Sequence, residues 1–588
     1  MQLTFRRLSL FTYSILTLGS VQAIFGCGSS GSAAPGMGGT VGSMGGGVAS
    51  GGGSFGGANG SGGANGAVGG SGTGGNGPGA GGGAAAGGAT AGTGGGGGEG
   101  AGGDTGAGTG GAGPVVGNFE ITIEPNPNSV LSAFVSWTTT EPSSSIVQFG
   151  TESLTWEIVG EANVTSHKVL VIGMRAATDY QIRALSSGAS GTLDGTGTFK
   201  TGALPAQIPV GTVSVSNLAK AQPGWTLMNV QKGDGTTSAR AGAPPAAVIY
   251  DEEGQPVWYF INGTVAERGG AISVDMTDKG VLMGATATMD LANNATSPTE
   301  CDWAGNVIWK CPDTKCGGSA TLSHHSSKLS NGHFVTMRDT QDGGRTSQVF
   351  EELDPDQNSM MVHSVGVLDG LPTPPAGASG DWAHGNAIVV DLENDVAYMN
   401  FRWLGIMKMK YSTKELLWHL PASYGEDNYG AFTNKVLAFD PPTSQYSDTH
   451  NPEIHADGTI LFFDNGGFTG TISEGNPGGL HTRAVEYKID EAAKTAKLVW
   501  EWPGSFAVDA WYKTDLYVPF WGGVYTTAKG TVLIAAGRRG TMSTPESRVI
   551  EVEKSSGEVV WELKLPKDNA MYRAARLWPL PLVHKIGE

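Results

Sequence analysis

The sequence predicts an all-β protein in which a small β-sandwich precedes a larger array of repeated β-sheets. Short runs of alternating apolar and polar residues fill the stretch from 119 to 201, a pattern typical of strands. From about residue 209 onward a turn, β-branched residues and a tryptophan recur, whereas the 3.6-residue period of an amphipathic helix is hard to find. In front of both regions, 41 of the 95 glycines lie between residues 31 and 110, and such a composition cannot bury a core.

The N-terminus has the features of an export signal. Arg6 and Arg7 precede an apolar stretch over residues 8–25, so residues 1–26 are interpreted as a signal peptide. Gly26 followed by Cys27 resembles the cleavage site of bacterial lipoproteins, at which Cys27 would become the acylated first residue; cleavage after Ala23 is the alternative. We therefore expect an exported protein, in the periplasm or at the cell surface, whose contact with a membrane is a lipid anchor.

Residues 27–117 are interpreted as a disordered glycine-rich linker, because Gly, Ala, Ser and Thr offer no apolar area to offset the entropy of ordering. The whole chain has 588 residues and a net charge of −18. A negative field repels phosphate backbones, so nucleic acid is not expected as a partner. Beyond the N-terminus no apolar run approaches the ~20 residues of a membrane-spanning helix.

The alternating runs predict a β-sandwich over residues 118–204. The segment 178–183, which contains Tyr180, resembles the tyrosine corner of fibronectin type III domains, and Trp137 is the expected core aromatic residue. This domain is expected to be a spacer or a packing partner of the following domain.

Residues 209–588 are predicted to form a six-bladed β-propeller that carries the active site. The tryptophan pattern has five clear copies, and a degenerate sixth copy lies near residues 354–365. Each copy follows a second hairpin, so a repeat holds about four strands, and six such repeats can close into a ring. The tryptophans are expected to pack blade against blade; they are Trp258, Trp309, Trp418, Trp500 and Trp561.

Histidines recur at one position of this repeat. His324 lies eight residues before the turn glycine Gly332, and His450 lies eight residues before Gly458. His384 precedes another predicted strand, with Asn386 two residues on and Arg402 at the end of the strand after it. Equivalent positions on different blades point at the central axis, so these side chains are predicted to form one cluster. Three histidines could also bind zinc, but a nearby arginine would oppose a divalent cation, and no metal is expected.

These residues resemble the bacterial aryl sulfotransferases that use no nucleotide donor, over essentially the whole stretch 209–582. Three segments carry the resemblance: residues 324–332; residues 381–386, leading to Arg402; and residues 450–452, running on to the Phe-Asp-Asn-Gly segment 463–466. The chain departs from the family pattern near Ser326 and Asn451, which lack the usual acidic neighbour, and at Gly522 in the sixth repeat.

The resemblance implies transfer of a sulfuryl group from a phenolic sulfate ester to a phenol, without a cofactor, through a transient sulfohistidine. His450 is the expected nucleophile, Arg402 and Asn386 are expected to bind the sulfuryl oxygens, and His384 or His324 is expected to act as acid and base. No phosphate-binding or Rossmann glycine motif is present, which disfavours a nucleotide donor. Tyr572 and Arg573 are expected to close the last repeat and not to touch substrate.

Two alternatives and one structural question remain at this point. The array could be a non-catalytic surface propeller that binds ligands or proteins, or a quinone-dependent dehydrogenase, although the histidines would then have no explanation. Cys311 and Cys316 are close enough in sequence for a disulfide in an exported protein, and Cys301 is a rival partner for Cys311.

Overall fold

A computed structural model describes residues 115–232, 244–262, 273–284, 297–311, 321–342, 345–365, 383–402, 404–422, 434–466, 481–514, 516–519, 521–540, 545–578 and 580–587. The described chain is almost entirely β-strand, which confirms the all-β prediction; its helix α1 spans only Ala510–Thr514. Within these ranges no helix has both the length and the apolar character needed to cross a bilayer. The signal peptide, Cys27 and residues 28–114 of the predicted linker lie outside the described residues, whereas residues 115–117, assigned to the same linker, belong to the first strand.

Two sheets face each other in the N-terminal described region. Alternate residues of their strands are buried, for example Ala133, Val135 and Trp137, because successive side chains of a strand point to opposite faces. One sheet contains β2 (Thr122–Pro125), β3 (Ala133–Ser143) and β6 (Val164–Val171). The other contains, in spatial order, β1 (Val115–Asn118), β8 (Gly191–Lys200), β7 (Asp179–Gly188), β4 (Ile146–Gly150), β5 (Trp156–Val159) and β36 (Val583–Lys585).

The two aromatic residues singled out in this region are both in its core. The Tyr180 hydroxyl accepts a hydrogen bond of 2.8 Å from the backbone N–H of Arg175, five residues upstream, which is the bond of a tyrosine corner. The Trp137 ring stacks on His167, and its indole N–H donates to Ser186 at 2.8 Å.

Six further sheets follow in the described part of the chain, and their strands run antiparallel in chain order. The first contains β10 (Trp225–Lys232), β11 (Ala246–Tyr250) and β12 (Pro256–Ile261); the second β13 (Val274–Met276), β14 (Gly280–Met283), β15 (Thr299–Asp302) and β16 (Val307–Lys310); the third β17 (Thr321–Lys328), β18 (Phe334–Asp342), β19 (Arg345–Leu353) and β20 (Ser359–Val365).

The remaining three continue the same plan. The fourth contains β21 (Gly385–Asp391), β22 (Val396–Phe401), β23 (Gly405–Lys410) and β24 (Leu416–Pro421); the fifth β26 (Thr449–Ile454), β27 (Thr459–Asp464), β28 (Arg483–Asp490) and β29 (Thr495–Trp502), with β25 (Ala438–Asp440) added in parallel; the sixth β30 (Gly523–Thr526), β31 (Val532–Gly540), β32 (Pro545–Val552) and β33 (Val559–Lys564).

Strands from both sides of this array complete the end sheets. β9 (Thr212–Ser216), which precedes the first sheet in sequence, pairs with β33 of the sixth sheet. β34 (Asn569–Ala570) and β35 (Ala574–Leu577), which follow the sixth sheet, both pair with β10 of the first. Each sheet contacts the next one, and β31 of the sixth contacts β35 in the first. The six sheets therefore form a closed cycle of contacts.

The recurring tryptophans link neighbouring sheets, as predicted. The indole N–H of Trp258 donates to the backbone of Trp303 in the second sheet, and that of Trp500 to the backbone of Lys554 in the sixth. Trp561 of the sixth sheet donates to the carbonyl of Glu252, which connects it to the first sheet. The others make equivalent contacts: Trp309 stacks on Phe334, and Trp418 donates to Glu491.

The sandwich packs on the first two sheets through a shared apolar core. Residues of both regions belong to this core, among them Val171, Met174, Leu227, Ile249 and Val257. The C-terminal strand β36 extends the sandwich sheet by pairing with β5. The sandwich is thus attached to the six-sheet array by buried apolar contacts and by the C-terminal strand.

Candidate active site

The predicted histidines lie on three adjacent sheets, at irregular points of the first strand in each. His324 in β17 and His384 just before β21 adopt left-handed backbone conformations, with φ of 47° and 51°. In β26 the left-handed residue is Asn451, with φ of 55°, directly after His450. At all three places the pairing register with the next strand shifts. Such bulges re-aim side chains, and left-handed non-glycine residues are typical of functional sites.

Two of the histidine rings are in contact. The rings of His324 and His384 lie edge to face, with centroids 4.9 Å apart. The structure therefore places His324 against His384. The adjacent His325 is also buried, and burial, with the nearby Arg573 cation, holds the pKa of its imidazole well below the usual value.

Asn386 connects the fourth sheet to the strand that carries His450. Its side-chain amide donates to the carbonyl of Thr449 at 2.9 Å, and Asn400 donates to the same carbonyl, also at 2.9 Å. Asn400 additionally donates to Oδ1 of Asn386 at 2.5 Å. The two amides hold the residue next to His450, so Asn386 has a positioning contact that sequence reasoning did not anticipate.

Arg402 is buried and makes an ion pair with Asp448. Its Nη2 lies 3.0 Å from Asp448 Oδ2 and donates to the carbonyl of Pro519 at 2.7 Å. Burial raises the pKa of the Asp448 carboxyl, while Arg402 lowers it. The backbone N–H of Arg402 donates to the carbonyl of His384 at 2.8 Å. Asp448 was missed from sequence, although it lies only two residues before His450.

His450 is fully buried, and its Nδ1 is 2.5 Å from Oδ1 of Asn465. Asn465 follows β27, the strand that pairs with β26. The centroid of the His450 ring lies 6.1 Å from that of Tyr572. The Tyr572 ring lies 5.3 Å from that of Trp521. The nucleophile predicted from sequence therefore has one nitrogen engaged and aromatic side chains beside it.

A second buried cation lies next to this cluster. Arg573 donates to Oδ1 of Asn451 and pairs with Asp275 at 3.2 Å. Burial lowers the pKa of Arg573 to about 9 and raises that of Asp275 to about 7. The backbone N–H groups of Tyr572 and Arg573 both donate to Asn229 of the first sheet. Tyr572 and Arg573 thus bond to the first sheet, whereas the sequence analysis assigned them to closing the last repeat, and they also contact the cluster.

The glycine noted as a departure from the family pattern has a steric reason. Gly522 has φ of 115°, and a Cβ placed there would lie 2.3 Å from the ring of Phe463 in β27. A side chain at this position would collide with the Phe463 ring, which belongs to the strand paired with that of His450.

The cysteines can be assigned in part. Cys311 is disulfide-bonded and Cys301 is free and buried, so the pairing of Cys301 with Cys311 is wrong. The predicted partner Cys316 lies outside the described residues. Among the described side chains, no group of three or more His, Cys, Asp or Glu is arranged to hold a metal ion.

All five predicted site residues are buried and are connected through three neighbouring sheets. The family model of the arylsulfotransferases (ASST) matches residues 222–573, from the first strand of the ring to the arginine beside Asn451. The chain belongs to the arylsulfotransferase family. Its match includes every one of the five clustered residues.

Curated relatives carry the same name but align only in part. The arylsulfate sulfotransferase AssT of Escherichia coli O6:H1 is 25% identical over 326 residues, which cover 44% of this chain and 52% of that protein. The enzyme of the same name from Lelliottia amnigena is 28% identical over 141 residues, covering 21% of this chain and 23% of that protein. The chain thus spans about half, or less, of the length of these relatives.

Solved structures give a weaker likeness. A europium-containing methanol dehydrogenase is 13% identical with a TM-score of 0.32, covering 73% of this chain and 79% of that one. At this identity and TM-score the likeness is weak.

Proposed function

We propose that this arylsulfotransferase moves a sulfuryl group from a phenolic sulfate ester to a phenol by a ping-pong mechanism, with His450 as the residue that carries the group. The observation that supports this function is the convergence of His324, His384, Asn386, Arg402 and His450 from three sheets at one buried place. Buried imidazoles beside a permanent cation suit the transfer of an anionic group.

In the first half-reaction His450 attacks the sulfur atom. A nitrogen–sulfur bond forms, the bond between sulfur and the aryl oxygen breaks, and the phenoxide leaves. Charge spreads over the sulfuryl oxygens in a loose transition state, by analogy with phosphoryl transfer. Arg402, held by Asp448, stabilises that charge, and Asn386 adds a neutral donor. His384 or His324 protonates the departing phenoxide.

In the second half-reaction the acceptor reverses these steps. The phenol loses its proton to the histidine that acted as acid, and its oxygen attacks sulfur as the nitrogen–sulfur bond breaks. His450 returns to its starting state without a cofactor or a nucleotide. Tyr572, which lies next to His450 and on which Trp521 packs, supports an aromatic donor and acceptor, because aryl rings pack well against such side chains.

We also propose that the chain contains a fibronectin type III-like domain and a six-bladed propeller, and that it is exported and carries a lipid anchor. Six sheets in a closed cycle of contacts support a six-bladed propeller over 209–588. Three strands facing the sheet that contains β8, β7, β4 and β5, with the Tyr180 bond, support a fibronectin type III-like domain over 118–204. The Arg-rich start and the Gly-Cys pair support export and a lipid on Cys27.

The test is turnover of a chromogenic aryl sulfate by the full chain, with phenol as acceptor. The wild-type protein should release the chromogenic phenol, and without acceptor it should release about one equivalent in a burst. His450→Ala should abolish both. His333→Ala, in a turn of the third sheet, is the control and should retain activity. No release by the wild type, or undiminished release by His450→Ala, would defeat the proposal and leave a ligand-binding propeller as the better reading.

A further inference from the structure

Asn465 is fully buried in a fixed place beside His450. It follows the last residue of β27, and its backbone N–H donates to the carbonyl of Asp448 at 3.0 Å. That bond continues the pairing in which His450 faces Phe463. The antiparallel register therefore brings the side chain of Asn465 to Nδ1 of His450, 2.5 Å away.

The orientation of the Asn465 amide is determined by its other partners. Its Nδ2 lies 2.7 Å from the carbonyl of Val518 and 2.8 Å from that of Trp521. Backbone carbonyls only accept hydrogen bonds, so the amide group facing them must be the NH2 end. Both of its N–H groups are used, and Oδ1 must face the imidazole.

This orientation determines the tautomer of His450. Oδ1 is an acceptor only, so Nδ1 of His450 must carry the proton that it shares with Asn465. In a neutral imidazole with its proton on Nδ1, the lone pair is on Nε2. We infer that Asn465 is a positioning residue that fixes His450 in the tautomer whose Nε2 is the nucleophile. The inference rests on the proposed function of His450.

The same contact serves the second half-reaction. When Nε2 bonds to sulfur and Nδ1 keeps its proton, the sulfohistidine ring is an imidazolium. Attack by the acceptor then expels a neutral imidazole, with no proton to be added to or removed from His450. An uncharged amide oxygen suits this cycle, because a carboxylate at the same place would stabilise the protonated free ring and raise its pKa, which would withdraw the lone pair from the nucleophile.

The carbonyl partners of Asn465 belong to the segment that leads into the sixth sheet. Trp521 of this segment also packs on Tyr572, and Tyr572 lies against His450. The segment therefore contacts the surroundings of the imidazole twice, through Asn465 and through Tyr572. The tautomer is therefore coupled to the contact between the fifth and sixth sheets. A variant that only loosened this contact would lower stability, whereas loss of the Asn465 oxygen should change the tautomer itself.

The experiment is nitrogen-15 NMR of the full chain with labelled histidine, with His450→Gln used to assign the His450 signals. The wild-type ring should show a protonated Nδ1 and an unprotonated Nε2 at neutral pH. A protonated Nε2 would overturn the inference, whatever the activity of the protein. A protonated Nδ1 in a protein that transfers no sulfuryl group would uphold the tautomer and defeat the proposed function.

Asn465→Ala gives the kinetic test. Its kcat should fall by roughly 10²-fold or more, since a wrong tautomer costs up to about 10⁴-fold in a serine protease triad, while KM changes little. The Nδ1–H signal of His450 should weaken. The matched control is Asn126→Ala, which removes another buried amide that bridges two oxygens, in the sandwich; it should keep kcat and the signal. An Asn465→Ala protein with unchanged tautomer and kcat would overturn the positioning role.

Discussion

At the scale of single residues, the site depends on left-handed backbone conformations that residues other than glycine rarely adopt. His324, His384 and Asn451 are all left-handed, and each such residue costs on the order of 1–3 kcal/mol unless its surroundings enforce it. The surroundings are visible: Arg402 donates to the carbonyl of His384, and Arg573 donates to the side chain of Asn451. The first of these bonds is made by the backbone N–H of Arg402, and the second by the guanidinium of Arg573, so backbone pairing supports His384 and a buried cation supports Asn451.

Replacement of the Arg402 side chain should separate its contribution to folding from its contribution to the reaction. Arg402→Met leaves the buried Asp448 carboxyl without its cation, so we expect a loss of about 3–5 kcal/mol in the free energy of unfolding. The double variant Arg402→Met with Asp448→Asn removes both charges and should regain most of that stability. Unfolding in urea measures the stability of both variants, and turnover of an aryl sulfate measures their activity.

Activity decides what the arginine does for the reaction. If the guanidinium binds the sulfuryl oxygens, the double variant should fold well and remain inactive. A stable double variant with near wild-type turnover would assign Arg402 a purely structural role.

The residue scale also shows what sequence could reveal. The distance from a histidine to its turn glycine is set within one hairpin, so spacing was enough to find His324 and His450. Asp448 and Asn465 flank the same hairpin, but their importance depends on Arg402 from the fourth sheet and on Val518 and Trp521 from the segment before the sixth. No local pattern encodes those partners.

At the scale of elements, polar contacts between neighbouring sheets add to the tryptophan links. His455, at the end of β26, lies 3.3 Å from Glu453 and 3.2 Å from Glu486. Glu453 also accepts from the backbone N–H of Thr526 in the sixth sheet at 2.7 Å, and Lys554 of that sheet pairs with Glu486 at 2.7 Å. A protonated His455 therefore stabilises the two carboxylates that hold the fifth sheet to the sixth.

This cluster makes stability depend on pH in a defined direction. Burial lowers the pKa of His455, but its two glutamates outweigh that and raise it to about 9, from 6.5. Because the folded pKa is above the unfolded one, the stabilisation is fully present below pH 6.5 and is lost as pH rises through about 9. His455→Gln should therefore cost about 2–3 kcal/mol at pH 6, and wild type and variant should converge above pH 9.

Urea unfolding at pH 6 and at pH 9.5 measures this difference. His584→Gln, on an exposed part of β36, is the control and should track the wild type at both values. A deficit of His455→Gln that stays constant across the range would show that the side chain contributes packing and not charge.

The element scale explains both the success and the limits of the sequence analysis. Five of the six sheets end in a strand with one of the recurring tryptophans, so the pattern located them, whereas the third sheet has only the degenerate copy near residues 354–365. The strands β9, β34 and β35 have no recognisable sequence pattern, because each pairs with a strand hundreds of residues away. The contribution of Tyr572 to the surroundings of His450 was missed for the same reason.

At the scale of the whole molecule, the net charge of −18 opposes the approach of an anionic donor. Added salt shortens the Debye length from about 30 Å at 0.01 M to about 8 Å at 0.15 M and screens that repulsion. The kcat/KM for an aryl sulfate should therefore rise a few-fold between these ionic strengths. Initial rates over a series of sodium chloride concentrations measure this effect.

The neutral acceptor provides an internal control. In a ping-pong reaction the kcat/KM for phenol is measured separately, and it should stay nearly constant with salt because phenol carries no charge. A donor kcat/KM that falls with salt would mean that the local cations Arg402 and Arg573 dominate the field that the donor meets.

The pairing of the last strands with the first sheet also affects when the fold can be completed during synthesis. The side chain of Asn229 accepts a hydrogen bond from the backbone of Tyr572, which is 343 positions later in the chain, so this bond can form only after Tyr572 is synthesised. At roughly 5–20 residues per second on the ribosome, that delay is on the order of 20–70 s. A prematurely terminated product that ends after β33 would contain every histidine of the cluster but would lack β34, β35 and the backbone groups that bond Asn229, so the first sheet would remain incomplete.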